Sequence, residues 1–217
     1  MNTELARFNM IEQQIRPWDV LDADVLQLLS VVKREDFVPL AHKGLAFADL
    51  EIPLPGGECM LAPRVEARLL QDLNVQIHET VLEVGTGSGY MAALLAHRAQ
   101  RVVSLELLPE LVQMARANLQ KAGIANVEVR QGDGSQGLAA EGPFDVILLS
   151  GSVAEVPPAL LAQLKVGGRL GAIVGDEPMM RATFVTRTGA NDYRTTHPWD
   201  TVAPRLHDFA EPSRFTF

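Results

Sequence analysis

The chain has 217 residues with a formal net charge of -8, and 47% of them are hydrophobic and 21% charged. This composition is typical of a globular protein and excludes disordered and fibrous classes. The acidic balance argues against a nucleic-acid partner, because phosphate contacts need clustered Lys and Arg. The sequence has neither an apolar core of signal-peptide length at its N-terminus nor an apolar run that could span a bilayer, so we expect no membrane partner. A single cysteine, Cys59, fits a reducing compartment, and we expect a cytoplasmic protein.

The first part of the chain is predicted to form two helices and a long loop. Apolar residues recur at helical spacing from Glu4 to Ile15 and from Asp22 to Val32, and Arg16-Pro17 separates the two segments. Four prolines and a Gly-Gly pair between Phe37 and Pro63 predict a shaped loop. Because loops of this length in compact domains are commonly functional, we interpret it as a lid.

From Val65 onward, predicted helices alternate with predicted strands. The helices are Val65 to Leu73, Tyr90 to Ala99, Pro109 to Ala122 and Pro157 to Leu164, and the strands are Thr80 to Val84, Arg101 to Glu106, Val127 to Gln131, Phe144 to Ser150 and Gly168 to Val174. Strands such as "VILLS" are apolar at consecutive positions, which is typical of a sheet covered on both faces. The pattern predicts an α/β fold with a doubly wound, mostly parallel sheet.

One domain is expected to span residues 1–217, since this length is short for two domains. Within it we expect N-terminal helices and a substrate loop in 1–64, a cofactor-binding core in 65–178, and a C-terminal edge and tail in 179–217. The weak alternation after Met179 favours an antiparallel edge without fixing its register.

The stretch "TVLEVGTGSGYMAAL" runs from a strand through three glycines into a helix. Such a turn lets the backbone approach a ligand closely, and the helix N-terminus offers free N–H groups. The dinucleotide fingerprint G-x-G-x-x-G does not fit, because the glycines are Gly85, Gly87 and Gly89 and the third comes one residue early. The spacing therefore argues against NAD.

This turn resembles the E-x-G-x-G-x-G motif of class I S-adenosylmethionine-dependent methyltransferases, which have a Rossmann-like fold. The resemblance implies S-adenosyl-L-methionine as cofactor, with Glu106 accepting hydrogen bonds from the ribose hydroxyls and Asp133 facing the adenine amino group. The cofactor-binding residues that it implies are Glu83, Gly85, Thr86, Gly87, Gly89, Glu106, Asp133 and Gly134. Taken singly, the glycines could be only a tight turn, Glu106 a solvated strand end and Asp133 a turn former.

A wider resemblance, reaching about Val174, is to the protein-L-isoaspartate O-methyltransferase family. It rests on "MIEQQIRPWDVLDADVLQLLSVVKREDFVP", on "LAFADLEIPLP", on the glycine turn with its tyrosine, and on "VPPALLAQLKVGGRL". It implies methylation of the carboxyl group of isoaspartyl residues in damaged proteins or peptides. A carboxylate is already a nucleophile at neutral pH, so the chemistry requires positioning and no general base.

The predicted substrate loop, "PGGECMLAPRVEA", departs from this family's pattern. Leu61 stands where the family has the serine that meets the substrate carboxylate, and Arg64 replaces a histidine or tyrosine. Either Arg64 supplies a cationic fork for a carboxylate, or isoaspartyl activity is lost. These two positions are the catalytic candidates. Cys59, Met60 and Ser150 are the substrate-binding candidates, with Cys59 expected to act as a small hydrophobe and not as a nucleophile.

Three hypotheses follow from the sequence. The chain methylates isoaspartyl carboxylates, or it methylates another acceptor through a rebuilt pocket, or it binds the cofactor without turnover and acts through partners. No Cys/His spacing indicates a metal site. The oligomeric state and the role of the tail "RLHDFAEPSRFTF" are left open.

Overall fold

The structure is a computed structural model that describes residues 2–211. Its main sheet has seven strands in the order β5-β4-β3-β6-β7-β8-β9, and β1 and β2 form a separate two-stranded hairpin. The strands are β1 (Ile52–Pro53), β2 (Cys59–Met60), β3 (Thr80–Val84), β4 (Arg101–Glu106), β5 (Val127–Gln131), β6 (Phe144–Val153), β7 (Leu164–Asp176), β8 (Met179–Arg187) and β9 (Tyr193–Asp200).

Six α-helices accompany the strands. They are α1 (Thr3–Met10), α2 (Ala23–Val31), α3 (Pro63–Leu73), α4 (Tyr90–Arg98), α5 (Pro109–Lys121) and α6 (Pro158–Leu161), and α1 continues as a wider π-helical segment over Ile11–Ile15. Local sequence signals start them: the Asn2 and Asp22 side chains cap α1 and α2, and proline occupies the first position of α3, α5 and α6. Within residues 2–211, no helix is long and apolar enough to cross a membrane.

The strand directions agree with the predicted doubly wound, mostly parallel sheet. Strands β5, β4, β3, β6 and β7 are parallel, and β8 and β9 add an antiparallel edge. The strand order reverses beside β3, which pairs with β4 on one side and with β6 on the other. Ligands of open α/β sheets bind at such a reversal, at the carboxyl ends of the strands. The glycine turn that follows β3 therefore lies at the expected ligand-binding edge.

Two apolar clusters cover the two faces of the sheet. The larger joins buried residues of α1 to α5 with strand residues such as Val81, Val102 and Val146. The smaller contains the alternate strand residues Leu82 and Val103 together with α6 and the C-terminal Phe209. The C-terminal segment is thus part of the packing on one face.

Some predicted elements differ from the structure. The loop between Phe37 and Pro63 contains short 3-10 turns and the β1–β2 hairpin, which a proline-rich sequence does not reveal. The predicted helix Pro157 to Leu164 is wrong in its length, because α6 ends at Leu161 and β7 already begins at Leu164. Residues Lys165 to Gly168 lie within β7 at an irregularity in its pairing, because Leu164 pairs with Phe144 and the register resumes only at Arg169, opposite Val146.

A buried carboxylate ties three neighbouring strands together. Glu83 of β3 is fully buried and accepts a hydrogen bond from Ser104 of β4 at 2.6 Å and another from Ser150 of β6 at 2.8 Å. The Ser104 hydroxyl lies 2.5 Å from that of Thr86 in the glycine turn. Burial raises the pKa of Glu83 from its ordinary value of 4.5 to about 7, and the two serine hydrogen bonds oppose this rise.

This buried acid makes stability depend on pH. Because its folded pKa exceeds its unfolded pKa, the folded state binds more protons between pH 4.5 and about 7, and the free energy of unfolding falls as pH rises through that window. From pH 5 to pH 8, the free energy of unfolding of the wild type should fall by about 2 to 3 kcal/mol more than that of Glu83→Gln. Urea unfolding at the two pH values measures this.

The matched control is Glu155→Gln, an exposed acid. Its stability should follow that of the wild type at both pH values. If the stability of Glu83→Gln depends on pH as that of the wild type does, ionisation of the buried Glu83 is not the cause of that dependence.

The loop after β5 packs directly against β3 through a glycine. A Cβ atom added to Gly134 would lie 2.2 Å from Cγ1 of Val84, a buried residue at the end of β3. Since valine has few alternative rotamers, it cannot move aside cheaply. This contact sets the distance between the loop and the glycine turn.

We expect Gly134→Ala to lower the free energy of unfolding by about 1 to 3 kcal/mol through overpacking. Thermal and urea unfolding check this value. Gly132→Ala is the matched control two residues away, since a Cβ at Gly132 meets no atom within 4 Å. Equal stability of the two variants would show that the loop is free to shift.

Candidate active site

The glycine turn is held by backbone hydrogen bonds to the neighbouring strand. The N–H groups of Gly85 and Thr86 donate to the carbonyl of Leu105 at 2.9 and 3.3 Å. Gly85 and Gly89 have φ values of +91° and +86°, a region in which glycine is favoured. Gly89 is the N-cap residue of α4, so the first N–H groups of that helix follow the turn directly.

A cavity opens beside this turn. Seven residues that the sequence assigns to cofactor or substrate binding line it: Cys59, Gly85, Gly87, Glu106, Asp133, Gly134 and Ser150. We call this the cofactor cavity. The other assigned cofactor residues do not line it. Glu83 lies buried behind the turn and Gly89 begins α4, while Thr86 lines the neighbouring cavity.

Glu106 has a structural task as well as a place in the cavity wall. Its carboxylate accepts hydrogen bonds from the N–H of Gly87 at 2.8 Å and from the N–H of Leu108 at 3.1 Å. Burial raises the pKa of Glu106, while these backbone hydrogen bonds oppose the rise. The acid at the end of β4 therefore fixes the middle of the glycine turn.

Asp133 is exposed and forms a local turn. Its carboxylate accepts hydrogen bonds from the Ser135 backbone N–H at 2.8 Å and from the Ser135 hydroxyl at 3.0 Å. This is the turn-forming role that the sequence left open. It coexists with a position in the wall of the cofactor cavity.

The substrate loop forms a second, smaller cavity next to the first. The candidates Cys59, Met60 and Leu61 line it, and we call it the acceptor cavity. It shares Cys59, Gly85, Gly87 and Ser150 with the cofactor cavity. The two spaces therefore adjoin at the glycine turn.

Leu61 is buried, and its backbone is held by a buried ion pair that the sequence did not predict. The Leu61 carbonyl accepts a hydrogen bond from Arg34 at 2.8 Å, and Arg34 also binds Glu66 at 2.7 Å. The Arg34 guanidinium lies 5.3 Å from the ring centroid of Tyr90. Burial raises the pKa of Glu66, and Arg34 opposes that rise. The "REDFVP" motif thus supports the substrate loop from behind.

Cys59 is a neutral thiol. Burial, together with the charges of Glu51 and Glu58, raises its pKa to about 12. A thiolate is the reactive form, so this environment disfavours nucleophilic chemistry. The expectation that Cys59 acts as a small apolar group agrees with this setting.

Arg64 lies outside both cavities. It forms an ion pair with Asp49, and its guanidinium lies 4.4 Å from the ring centroid of Trp18. Neither cavity includes it among its lining residues. The expected cationic fork for a carboxylate is therefore not in position, because α3 begins at Pro63 and its first turn directs Arg64 to Asp49, while Glu66 reaches the acceptor cavity.

The C-terminal segment is the largest part of the site that sequence reasoning missed. Leu206, His207 and Phe209 line the cofactor cavity, as does Glu58 of the substrate loop. No sequence signal identified these residues, because the tail has no strand periodicity and reaches the site only through tertiary contacts. Among residues 2–211, no group of three or more His, Cys, Asp or Glu side chains is placed to hold a metal ion.

Comparisons with known proteins agree with this geometry. A model of the family protein-L-isoaspartate(D-aspartate) O-methyltransferase matches residues 6–202. The protein-L-isoaspartate O-methyltransferase of Koribacter versatilis is 41% identical over 192 residues, which cover 88% of this chain and 86% of the relative. That of Methanoculleus marisnigri is 42% identical over 169 residues, covering 78% of this chain and 77% of the relative.

A solved structure has the same fold. It is a Plasmodium falciparum chain described as a protein-L-isoaspartate O-methyltransferase in complex with S-adenosyl-L-homocysteine. The TM-score is 0.79 at 19% identity, with 92% of this chain and 97% of that chain covered. Because the family match and the relatives extend over most of the sequence, this chain belongs to the protein-L-isoaspartate(D-aspartate) O-methyltransferase family.

Proposed function

We propose that this chain transfers a methyl group from S-adenosyl-L-methionine to the carboxyl group of isoaspartyl residues in proteins or peptides. The observation that carries the proposal is the junction of the two cavities at the glycine turn, where a cofactor site and an acceptor site share Cys59, Gly85, Gly87 and Ser150. Family membership and the names of the relatives support the acceptor. Both relatives described above are named for this acceptor.

The cofactor cavity fits a cation-bearing cofactor. A Cβ atom at Gly85 would come within 2.9 Å of Leu206, so the glycine keeps the backbone close to the cavity. The wall of this cavity contains three carboxylates, which attract the positive charge of a sulfonium: those of Glu58, Glu106 and Asp133. We propose that Glu106 accepts the ribose hydroxyls and that Asp133 and Gly134 border the adenine, while Glu83, Thr86 and Gly89 shape the turn.

S-adenosyl-L-methionine supplies an electrophilic methyl group, and a carboxylate oxygen of the acceptor takes it. No proton moves in this step, so the residues of the chain need only bind, orient and exclude water. We propose that Cys59, Met60 and Ser150 border the acceptor and that Leu61 removes water from the attacking carboxylate. Arg64 acts at a distance, through its contacts with Asp49 and Trp18, to hold the loop.

We further propose that residues 1–217 form one domain, because the larger apolar cluster includes residues from Met10 to Ala203. A cytoplasmic location is proposed from the use of a single cysteine. The charge of -8 supports a role without nucleic acid.

Glu106→Gln should weaken the binding of S-adenosyl-L-homocysteine by about 1.5 to 3 kcal/mol, because the ribose hydroxyls lose a charged acceptor. Isothermal titration calorimetry measures the affinity. Glu110→Gln is the matched control, since Glu110 is an exposed acid four residues further along. Unchanged affinity in Glu106→Gln would place the ribose elsewhere.

The proposed acceptor is tested with a peptide that contains one isoaspartyl residue and a matched peptide with normal aspartate. We expect the wild type to methylate only the first in a radiolabelled methyl-transfer assay. Leu61→Ser should lower KM for the isoaspartyl peptide about tenfold or more, since a hydroxyl adds one hydrogen bond to the charged carboxylate, and it should also lower kcat, because that bond weakens as the carboxylate loses its charge.

Leu61→Ala removes the same side chain without adding a hydroxyl and should not lower KM in this way. Arg64→Ala should lower the melting temperature, because it removes the contacts with Asp49 and Trp18, and should leave kcat/KM almost unchanged. If the wild type and Leu61→Ser bind the cofactor but methylate neither peptide, the isoaspartyl acceptor is wrong.

A further inference from the structure

The C-terminal segment Ala203 to Phe209 crosses the carboxyl ends of the central strands. Its backbone is anchored on β6, where the Ser152 N–H donates to the Pro204 carbonyl at 2.7 Å and the Leu206 N–H donates to the Ser152 carbonyl at 2.9 Å. Arg205 forms ion pairs with Asp176 at 2.7 Å and with Glu211 at 2.9 Å. The segment is therefore fixed in place before it reaches the cofactor cavity.

Two glycines give this segment room beside the cofactor cavity. A Cβ atom at Gly85 would lie 2.9 Å from the Leu206 side chain, and one at Gly151 would lie 2.8 Å from it. Leu206 thus packs against the glycine turn itself. His207 follows it and lines the same cavity.

A single side-chain contact joins this segment to the substrate loop. The His207 Nε2 atom donates to the Glu58 Oε1 atom at 2.8 Å, between residues 149 positions apart in sequence. Both residues line the cofactor cavity, one from each wall. His207 is the only basic residue among those that line this cavity in the described part of the chain. The bond therefore bridges the cavity between two segments that the sheet does not connect directly.

We infer that Glu58 and His207 form a latch that holds the substrate loop against the C-terminal segment and thereby retains the bound cofactor and its product. This inference rests on the proposed function. His207 is a positioning residue: it acts through Glu58 and carries out no chemistry.

The test measures the dissociation rate of S-adenosyl-L-homocysteine from the full chain by surface plasmon resonance. This ligand is chosen because it lacks the sulfonium charge, so a change of charge at Glu58 acts mainly through the latch. Glu58→Ala and His207→Ala should each raise the dissociation rate about two- to fivefold, as expected for a partly exposed ion pair. The double variant should dissociate no faster than the faster single variant, because the two residues act as one unit.

Rescue and control variants separate a latch from general damage. His207→Lys replaces one hydrogen-bond donor to Glu58 by another and should bring the dissociation rate back toward that of the wild type. His78→Ala removes an exposed histidine remote from the cavity wall and should leave the rate unchanged. Thermal unfolding without ligand checks that all variants are folded.

The possible outcomes decide between the two proposals. If the wild type binds S-adenosyl-L-homocysteine and both single variants release it at the wild-type rate, the latch is overturned and the proposed function stands. A double variant whose acceleration equals the product of the single effects would also overturn it. If the wild type does not bind this ligand at all, the proposed function fails, and the latch fails with it.

Discussion

The shape of the site depends on one buried interaction, the pair of hydrogen bonds that Ser104 and Ser150 donate to Glu83. A carboxylate that is fully buried is costly unless its oxygens are bonded. Here each oxygen accepts a hydrogen bond from one neighbouring strand, Oε2 from Ser104 and Oε1 from Ser150, and the hydroxyl of Thr86 extends this chain into the glycine turn. These hydrogen bonds thus hold the three strand ends and the turn in one arrangement. Ser150 also lines both cavities, so the same arrangement positions part of each cavity wall.

The acids at this edge therefore have different tasks. Glu83 holds the turn from behind and has no contact with the cofactor cavity, whereas Glu106 both fixes Gly87 and lines that cavity. A sequence motif that begins with an acid does not distinguish these tasks, because both acids end parallel strands. The two acids share a face of the sheet, because Glu83 lies opposite Ser104 and Glu106 is two residues further along β4. They differ in position along the strands, since Glu106 lies past Leu105, the last β4 residue that pairs with β3, and there borders the glycine turn and the cavity.

The sequence was most informative where local signals decide the structure. The β3 and β4 strands and the glycine turn were predicted because apolar runs and glycine spacing are local, and the predicted bounds of both strands agree with the structure. The Arg34–Glu66 pair, the contact of Arg64 with Asp49 and the C-terminal wall depend on contacts between distant residues. No period or spacing in one sequence encodes such contacts, so the cofactor side was predicted better than the acceptor side.

The acceptor cavity has an electrostatic character that suits its proposed reaction. Among the described residues that line it there is no Lys, Arg or His, and the nearby Arg34 is already bound to Glu66 and to the Leu61 carbonyl. A carboxylate loses its negative charge as it takes a methyl group, so a cation bound to it would stabilise the ground state more than the transition state. In the role proposed for it, Leu61 acts in the opposite direction, because removing water from the carboxylate raises its reactivity. Affinity for the acceptor must then come from the peptide around the isoaspartyl residue, which places substrate recognition outside this cavity.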